Sequence, residues 1–283
     1  MGQLQQALRR LIPTQNEVTA MATDVTIGSE SSIVVVAAHP DDVKNCTGTI
    51  LRALDLGADV ALVQVTHGEG LGGATTKHEA VAMGATRVDE LMAFLSEIGV
   101  AASRTFLIGI PNTSAQPLAA LRDDFFPAEG LPFHDPVLAT DRVIYEDAYR
   151  PGMPLIGAPL VSALAELLVD ARPTHVITHH PADDHSDHRA TAFFVRRALE
   201  ATTGEPEVLG SLVYYRRLGW PVEGDTYLTP EVEQYPFGFD MGRLELSDDE
   251  RARKERACEI FVPTLPRDYI NSYMKQDEIF WRL

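Results

Sequence analysis

The sequence has few cysteines and no long apolar run, and these absences exclude several classes of protein. Cys46 and Cys258 are the only cysteines among 283 residues, too few for a disulfide framework or a thiolate metal site. No run of about 18 consecutive apolar residues occurs, and residues 1–28 contain no stretch typical of a secretion signal. The sequence therefore predicts a cytoplasmic protein without an export signal or a membrane span.

Positive charge is also scarce. Lys and Arg total 24 against 41 Asp and Glu, which gives a formal charge of -17. Such a chain is repelled by polyphosphate backbones and anionic lipid surfaces, so we expect neither a nucleic-acid nor a membrane partner. Apolar residues make up 45% of the chain, as in ordinary globular proteins.

Short apolar runs alternate with helical patterns along the chain. Buried strands are predicted at 33–38, 59–66, 105–108, 175–179 and 208–215. Helices are predicted at 46–56, 79–98, 155–171, 187–200 and 248–260. This alternation predicts an α/β fold, a Rossmann-like and mostly parallel sheet with helices on both faces. Ligands of such sheets bind beyond the carboxyl ends of the strands.

The pattern favours a single domain over residues 1–283. Its core covers about 31–215, and residues 216–283 form a C-terminal extension. Residues 111–153 are rich in Pro and Asp with weak periodicity, so they form a long insertion that either shapes a pocket rim or is a decorated loop.

The first polar cluster follows the first predicted strand directly. It offers His39, Asp41 and Asp42 within four residues, where a backbone turn aims neighbouring side chains at one point. Two interpretations are open for this cluster alone. It is half of a metal site, or its carboxylates cap the following helix while Pro40 occupies the first turn.

The second polar cluster, at 179–188, follows the strand at 175–179. Four of the nine histidines and three aspartates fall within these ten residues. Imidazole and carboxylate suit Zn²⁺ and similar ions, and three protein ligands leave a position open for water and substrate. Such an ion activates water for hydrolysis, with one nearby carboxylate as base and one histidine as acid or oxyanion donor. Spacing alone does not distinguish these roles.

Together the clusters resemble the zinc-dependent N-acetylglucosaminyl deacetylases, a family that includes the phosphatidylinositol glycan deacetylase and the LmbE-like bacterial proteins. The first motif, strand followed by A-H-P-D-D, matches residues 38–42, with Gly48 and Thr49 downstream. The second, D-x-H-x-D-H, matches residues 183–188. The resemblance extends over about 31–215 and implies a deacetylase fold with its metal at the carboxyl ends of the strands.

The resemblance implies a role for each matching position. His39, Asp42 and His188 bind the metal, which is Zn²⁺, with Fe²⁺ or another divalent ion as alternatives. Asp41 acts as general base.

The other charged positions of the second motif support the chemistry. His185 stabilises the oxyanion and is able to protonate the leaving amine. Asp183 and Asp187 do not bind the metal but orient the imidazoles.

Two weaker matches to the family's motifs concern residues expected near the substrate. Residues 66–70 resemble the family's T-x-G-E-G loop, and Arg87 with Glu90 resembles its R-x-x-E helix, whose arginine faces the sugar. A plain surface pair at i, i+3 is the alternative for those two residues. Asn112 stands where the family usually has an aspartate, and we predict substrate contacts for Arg87 and Asn112.

Two departures leave the substrate open. Val43 and Lys44 occupy the positions at which the family usually carries a glutamate. The expected substrate is a small N-acyl amino sugar or a glycosylated metabolite, deacylated by metal-activated water. A noncatalytic sugar-binding protein that keeps the metal site and a metal-dependent phosphoesterase are the alternatives. The exact acyl group and the oligomeric state stay open, a homo-oligomer included.

Overall fold

The computed structural model describes residues 22–127, 129–215, 220, 221, 228 and 240–283. Within these residues, eight strands form one sheet: β1 (Thr23–Asp24), β2 (Ser32–Ala37), β3 (Asp59–Thr66), β4 (Thr105–Ile110), β5 (His175–His179), β6 (Glu207–Ser211), β7 (Met241–Glu245) and β8 (Asp277–Arg282). Their order across the sheet is β1-β7-β8-β6-β5-β2-β3-β4.

The α-helices of the described residues are α1 (Thr47–Asp55), α2 (Lys77–Ile98), α3 (Pro117–Asp123), α4 (Gly157–Ala171), α5 (Ser186–Leu199), α6 (Asp248–Cys258) and α7 (Arg267–Asn271). A 3-10 helix, Asp42–Cys46, leads from β2 into α1. The helix α2 begins with a capping box between Thr76 and Glu79 and ends at Gly99, whose φ of 88° favours glycine. None of these helices is both long and apolar enough to cross a membrane.

Five consecutive strands, β6-β5-β2-β3-β4, run parallel. β2 pairs with β3 on one side and with β5 on the other, while β3 pairs with β4 and β5 with β6. The chain therefore winds outward from β2 to β4 and then returns to begin the second half beside β2. This places the switch point of the sheet between β2 and β5, where open α/β sheets bind their ligands.

Both faces of the sheet are covered, and β2 is accordingly apolar and buried from Ile33 to Ala37. Ile33, Val35 and Ala37 pack with Phe94 of α2 and Ala257 of α6 in one core cluster. On the opposite face, Val34 and Val36 pack with residues from α3, α4 and α5. A strand buried on both sides reads as a continuous hydrophobic run. The predicted α/β class, with a mostly parallel sheet and helices on both faces, is confirmed.

The strand predicted at 208–215 is shorter in the structure. β6 ends at Ser211. The next backbone amides donate elsewhere, since the N–H groups of Val213 and Tyr214 bond to the Asp183 carboxylate at 2.7 and 2.9 Å. The Asp183 carboxylate therefore binds the N–H groups that would otherwise have continued the pairing of β6.

The sequence patterns did not reveal β7 and β8. β8 lies antiparallel between β6 and β7, so the sheet is mixed at this side. It begins with Asp277 and Glu278, which are fully buried and paired with Arg243 and Lys254. Because its buried positions include carboxylates, β8 lacks the apolar periodicity that predicts a buried strand. The burial of these carboxylates is explained only by the cations that pair with them.

Some of the expectations fall outside the described residues. These include the absence of a secretion signal over residues 1–21 and most of the extension between 216 and 239. The single-domain assignment with its core at 31–215 stays a prediction. The insertion at 111–153 contains α3, whose Leu118 and Leu121 are buried in the core.

Candidate metal centre and active-site cavity

The two polar clusters meet at the carboxyl ends of β2 and β5. Three ligand atoms form a triangle: His39 Nδ1 lies 3.1 Å from His188 Nε2 and 3.2 Å from Asp42 Oδ2. His188 Nε2 lies 3.4 Å from Asp42 Oδ2. Ligands about 2.1 Å from one tetrahedral ion are separated by roughly 3.4 Å, so this donor set fits a zinc-sized ion.

Each imidazole of the triangle has a carboxylate on its other nitrogen. His39 Nε2 lies 3.2 Å from Asp187 Oδ2, and His188 Nδ1 lies 2.9 Å from Asp183 Oδ1. In a neutral ring the proton then sits on the nitrogen facing the carboxylate, which leaves the other lone pair free inside the triangle. This arrangement is the usual support of metal-binding histidines.

Two further histidines lie close enough to compete for an ion. His179 Nε2 accepts the backbone N–H of Ala38 at 2.9 Å, so its lone pair is already used. His185 Nδ1 accepts the backbone N–H of Asp187 at 3.2 Å, so its proton sits on Nε2. A nitrogen that carries its proton does not bind a metal, and these contacts favour His39 and His188 as the histidine ligands.

Carboxylates set the charge of the centre. Burial disfavours the imidazolium of His39 and His188, but the neighbouring carboxylates, Asp42 above all, raise their pKa to about 10 and about 9. The potential that draws a proton to these nitrogens also draws a divalent cation. By contrast, burial and the two neighbouring histidines lower the pKa of His185 to about 4. At neutral pH His185 is thus a neutral N–H donor.

Asp41 lies beside the triangle and is held by three side chains. Its Oδ1 accepts a hydrogen bond from Arg87. Its Oδ2 lies 3.1 Å from Lys44 Nζ and 3.2 Å from the Tyr269 hydroxyl. Burial would raise the pKa of Asp41, but Lys44 and Arg87 outweigh it and lower the pKa to about 2. The carboxylate is therefore ionised throughout the neutral range.

The surface-pair alternative for Arg87 and Glu90 is wrong. Arg87 is 2% exposed and lines the cavity while it bonds to Asp41. Glu90 turns away and accepts a hydrogen bond from Thr264 at 2.7 Å. The contact of Arg87 with a substrate stays a prediction, because its visible partner is a carboxylate of the chain itself.

Asn112 links the insertion to the metal centre. Its Nδ2 donates to Asp187 Oδ2 at 2.6 Å, the oxygen that faces His39. Gly70 permits this approach, since a Cβ there would lie 2.9 Å from the Asn112 carbonyl oxygen. Asn112 also lines the cavity, so its predicted substrate contact stays open beside this positioning contact.

The cavity next to the triangle encloses about 330 Å³. Insertion residues 112–114 and 116 line it, in accord with the pocket-rim interpretation of that segment. Tyr214 and Tyr269 also line it and stack with ring centroids 5.9 Å apart. No sequence pattern marked these tyrosines, because one follows β6 and the other lies on α7, far from either motif.

We expect Asp183→Asn to weaken metal binding. Both Asp183 oxygens accept only N–H donors, including His188 and the amides of His185 and Val213. An amide NH₂ in place of either oxygen opposes one of these donors, so metal affinity should fall about 10–100-fold. Competition with a chelator measures this. The exposed neighbour Asp184, changed to Asn, is the control, and equal affinities in both variants would contradict the role of Asp183.

Glu69 makes stability depend on pH. Burial raises its pKa from an ordinary value of 4.5 to about 7, although hydrogen bonds from Tyr145 and the Asn112 amide oppose the shift. The folded state then binds the proton more tightly, so the free energy of unfolding falls as pH rises from 4.5 to about 7.

We therefore expect Glu69→Gln to be more stable than the wild type at pH 8, by about 1–3 kcal/mol, and nearly equal to it below pH ~4.5. Glutamine keeps an acceptor for the Asn112 amide without the buried charge. Urea unfolding at both pH values measures the difference. A gap of the same size at both would show that Glu69 does not titrate in this window.

A family model described as GlcNAc-PI de-N-acetylase (PIG-L) matches residues 34–199, more than half of the chain. Among curated proteins, no sequence matches this chain. The matched region contains the ligand triangle, Asp41 and His185.

Solved structures share the fold at low sequence identity. The N,N'-diacetylchitobiose deacetylase from Pyrococcus horikoshii is 14% identical with a TM-score of 0.53, covering 100% of this chain and 94% of that one. GalB, the 4-carboxy-2-hydroxymuconate hydratase from Pseudomonas putida KT2440, is 15% identical with a TM-score of 0.54, covering 86% and 82%. The zinc-inhibited form of teicoplanin deacetylase is 16% identical with a TM-score of 0.50, covering 88% and 96%.

Proposed function

Because this chain belongs to the GlcNAc-PI de-N-acetylase (PIG-L) family, we propose that it is a metal-dependent N-deacylase of an N-acyl amino sugar or a related glycosylated metabolite. The observation that carries the proposal is the triangle of His39, Asp42 and His188 at the wall of a cavity that also contains Asp41 and His185. Metal ligands, a carboxylate base and an N–H donor to the oxyanion are together sufficient for amide hydrolysis.

The proposed ligands are His39, Asp42 and His188, and the proposed ion is Zn²⁺, with Fe²⁺ or another divalent ion as alternatives. Nitrogen and carboxylate donors in this number suit zinc. One similar structure is a deacetylase in a zinc-inhibited form, so Fe²⁺ is tested beside Zn²⁺. A divalent ion held here supplies Lewis acidity, which acidifies a water molecule and polarises the substrate carbonyl.

Asp41 is the proposed general base. Its carboxylate is ionised and lines the cavity. Lys44 and Tyr269 occupy both acceptor sites of Oδ2, while Oδ1 keeps one site beyond its contact with Arg87. It is therefore placed to take the proton of the attacking water. The low pKa makes Asp41 a weak base, which fits a water that has already been acidified.

His185 is the proposed oxyanion donor. The amide of Asp187 fixes its tautomer with the proton on Nε2, and the ring lies at the cavity wall 4.7 Å from that of His39, centroid to centroid. The N–H stabilises the negative charge that develops on the carbonyl oxygen. The proton that Asp41 takes from the water is the one available to the leaving amine, since a neutral imidazole is too weak an acid to supply it.

The cavity favours a small neutral substrate. Its volume of about 330 Å³ lies at the lower end of small-molecule sites, which suits one sugar unit. The flat faces of Tyr214 and Tyr269 suit the C–H face of a sugar ring. Among the described residues, Arg87 is the only Lys or Arg that lines the cavity, and it pairs with Asp41. This disfavours a phosphoesterase and a polycarboxylate hydratase.

The test is release of primary amine from a panel of N-acetyl amino sugars and their glycosides, with the protein loaded with Zn²⁺ or Fe²⁺. Turnover that depends on the added metal supports the proposal. Hydration of an unsaturated carboxylate without amine release would replace it with a hydratase. Stoichiometric metal and tight binding of a sugar that is never cleaved would replace it with a noncatalytic binder.

A further inference from the structure

Lys44 is enclosed completely and belongs to the Asp41 site. Its side chain is 0% exposed. The ammonium lies 3.3 Å from the Asp41 carbonyl oxygen, 3.1 Å from Asp41 Oδ2 and 2.8 Å from the Tyr269 hydroxyl. The rings of Tyr269 and Tyr273 lie 4.5 and 4.7 Å from Nζ. Every polar contact of the ammonium therefore involves Asp41 or a group that itself contacts Asp41.

Charge compensation alone does not account for Lys44. Arg87 already places one full positive charge on the Asp41 carboxylate. Burying a second cation costs hydration free energy, which its ion pairs and hydrogen bonds have to offset. The two cations differ in where they act, because Arg87 on α2 holds Oδ1 while Lys44, from the 3-10 helix, holds Oδ2. Bonds to both oxygens from separate elements prevent rotation of the carboxylate about its Cβ–Cγ bond.

Tyr269, from a distant part of the chain, is the third side chain that holds the Asp41 carboxylate. Its hydroxyl accepts from Lys44 and donates to Asp41 Oδ2 at 3.2 Å. It lies on α7, beyond the region that matches the family. The C-terminal part of the chain thus contacts the same oxygen as Lys44.

We propose that Lys44, together with Tyr269, is a positioning residue that fixes the plane of the Asp41 carboxylate and so aims the free acceptor site of Oδ1 into the cavity. The proposal rests on the proposed function, in which Asp41 takes a proton from water. A base that is free to rotate is aligned only part of the time, and misplacement of this kind lowers turnover by up to about 100-fold.

The test is a double-mutant cycle between Lys44→Met and Asp41→Asn. Methionine fills a similar volume without a donor, so kcat should fall about 10–100-fold while KM changes less than about threefold. If Lys44 acts through Asp41, adding Lys44→Met to Asp41→Asn should lower the residual turnover no further. A loss of the same size in both backgrounds, or no loss in the single variant, overturns the proposal. Tyr269→Phe should show a smaller loss that is likewise absent from the Asp41→Asn background.

Lys254→Met is the matched control. Lys254 is another fully buried lysine, 2.7 Å from Glu278, and it lies outside the cavity. Its loss should affect stability but leave the kcat of the folded, metal-loaded protein unchanged. Metal content should be stoichiometric in every variant, since neither lysine is a ligand. An equal fall of kcat in the control would show that loss of any buried lysine is sufficient, against the proposal.

A crystal structure separates this proposal from the proposed function. If the wild type cleaves no substrate, the proposed function fails and the cycle has no readout. The carboxylate of Asp41 should nevertheless be rotated or split between two orientations in metal-loaded Lys44→Met, compared with one orientation in the wild type. A single, unchanged orientation in that variant overturns the positioning role by itself.

Discussion

Asp41→Asn is expected to lower turnover by about 100- to 10,000-fold while the metal stays bound. The amide has nearly the same shape as the carboxylate but does not accept a proton from water at neutral pH. No atom of Asp41 belongs to the ligand triangle of His39, Asp42 and His188. Turnover per bound metal, measured on the best substrate of the amino-sugar panel, checks the result.

Asp277→Asn provides the matched control for this substitution. Asp277 is also a fully buried aspartate, paired with Arg243 at 2.9 Å, but it lies in β8 and does not line the cavity. Both changes remove the charge partner of a cation, and both should lower the melting temperature. Only Asp41→Asn should lower the turnover of the folded protein to this extent. Wild-type turnover in Asp41→Asn would show that another group takes the proton.

His188→Ala is expected to weaken metal binding by more than about 100-fold and to remove activity with it. The substitution takes away one of three protein ligands, whereas the loss of a supporting residue alone typically costs 10–100-fold. It also leaves the Asp183 carboxylate without its imidazole partner at 2.9 Å. Metal content after dialysis and the Kd from chelator competition give the measurement.

The control is His175→Ala, at the opposite end of β5 from the metal centre. His175 begins the strand and contacts Thr174 and Glu207, with no atom in the cavity. It should keep full metal affinity. Stoichiometric metal and full activity in His188→Ala would remove this residue from the ligand set and favour one of the other nearby histidines.

The central part of the fold follows from the sequence because its signals are local. The strand at 59–66 and the strand at 175–179 were predicted with the bounds observed, since each is a short apolar run between turn residues. The family assignment is confirmed as well, because it depends on two compact motifs. The end of the sheet was missed, since Asp277 and Glu278 of β8 are buried only by virtue of partners far away in the chain.

The same distinction applies to the site. The family resemblance implied that His39, Asp42 and His188 share one metal, and the structure places their ligand atoms within 3.4 Å of one another. The contacts of Lys44 and Tyr269 with Asp41 were not predictable, because a residue on α7 reaches the site only after the helices have packed. The tautomer of His185 likewise depends on one backbone amide that sequence does not show.

The position of β8 between β6 and β7 also has a consequence for synthesis on the ribosome. β6 is complete at residue 211, but its neighbour on that side is made only when residues 277–282 emerge. Until then the nascent chain has an open strand edge, the kind of surface that recruits other chains into aggregates. The pairing is also non-local, since it joins Leu209 to Arg282, and non-local pairing slows folding. A growing chain therefore depends on β8 for protection of this edge, and chaperones have most to offer it just before β8 is made.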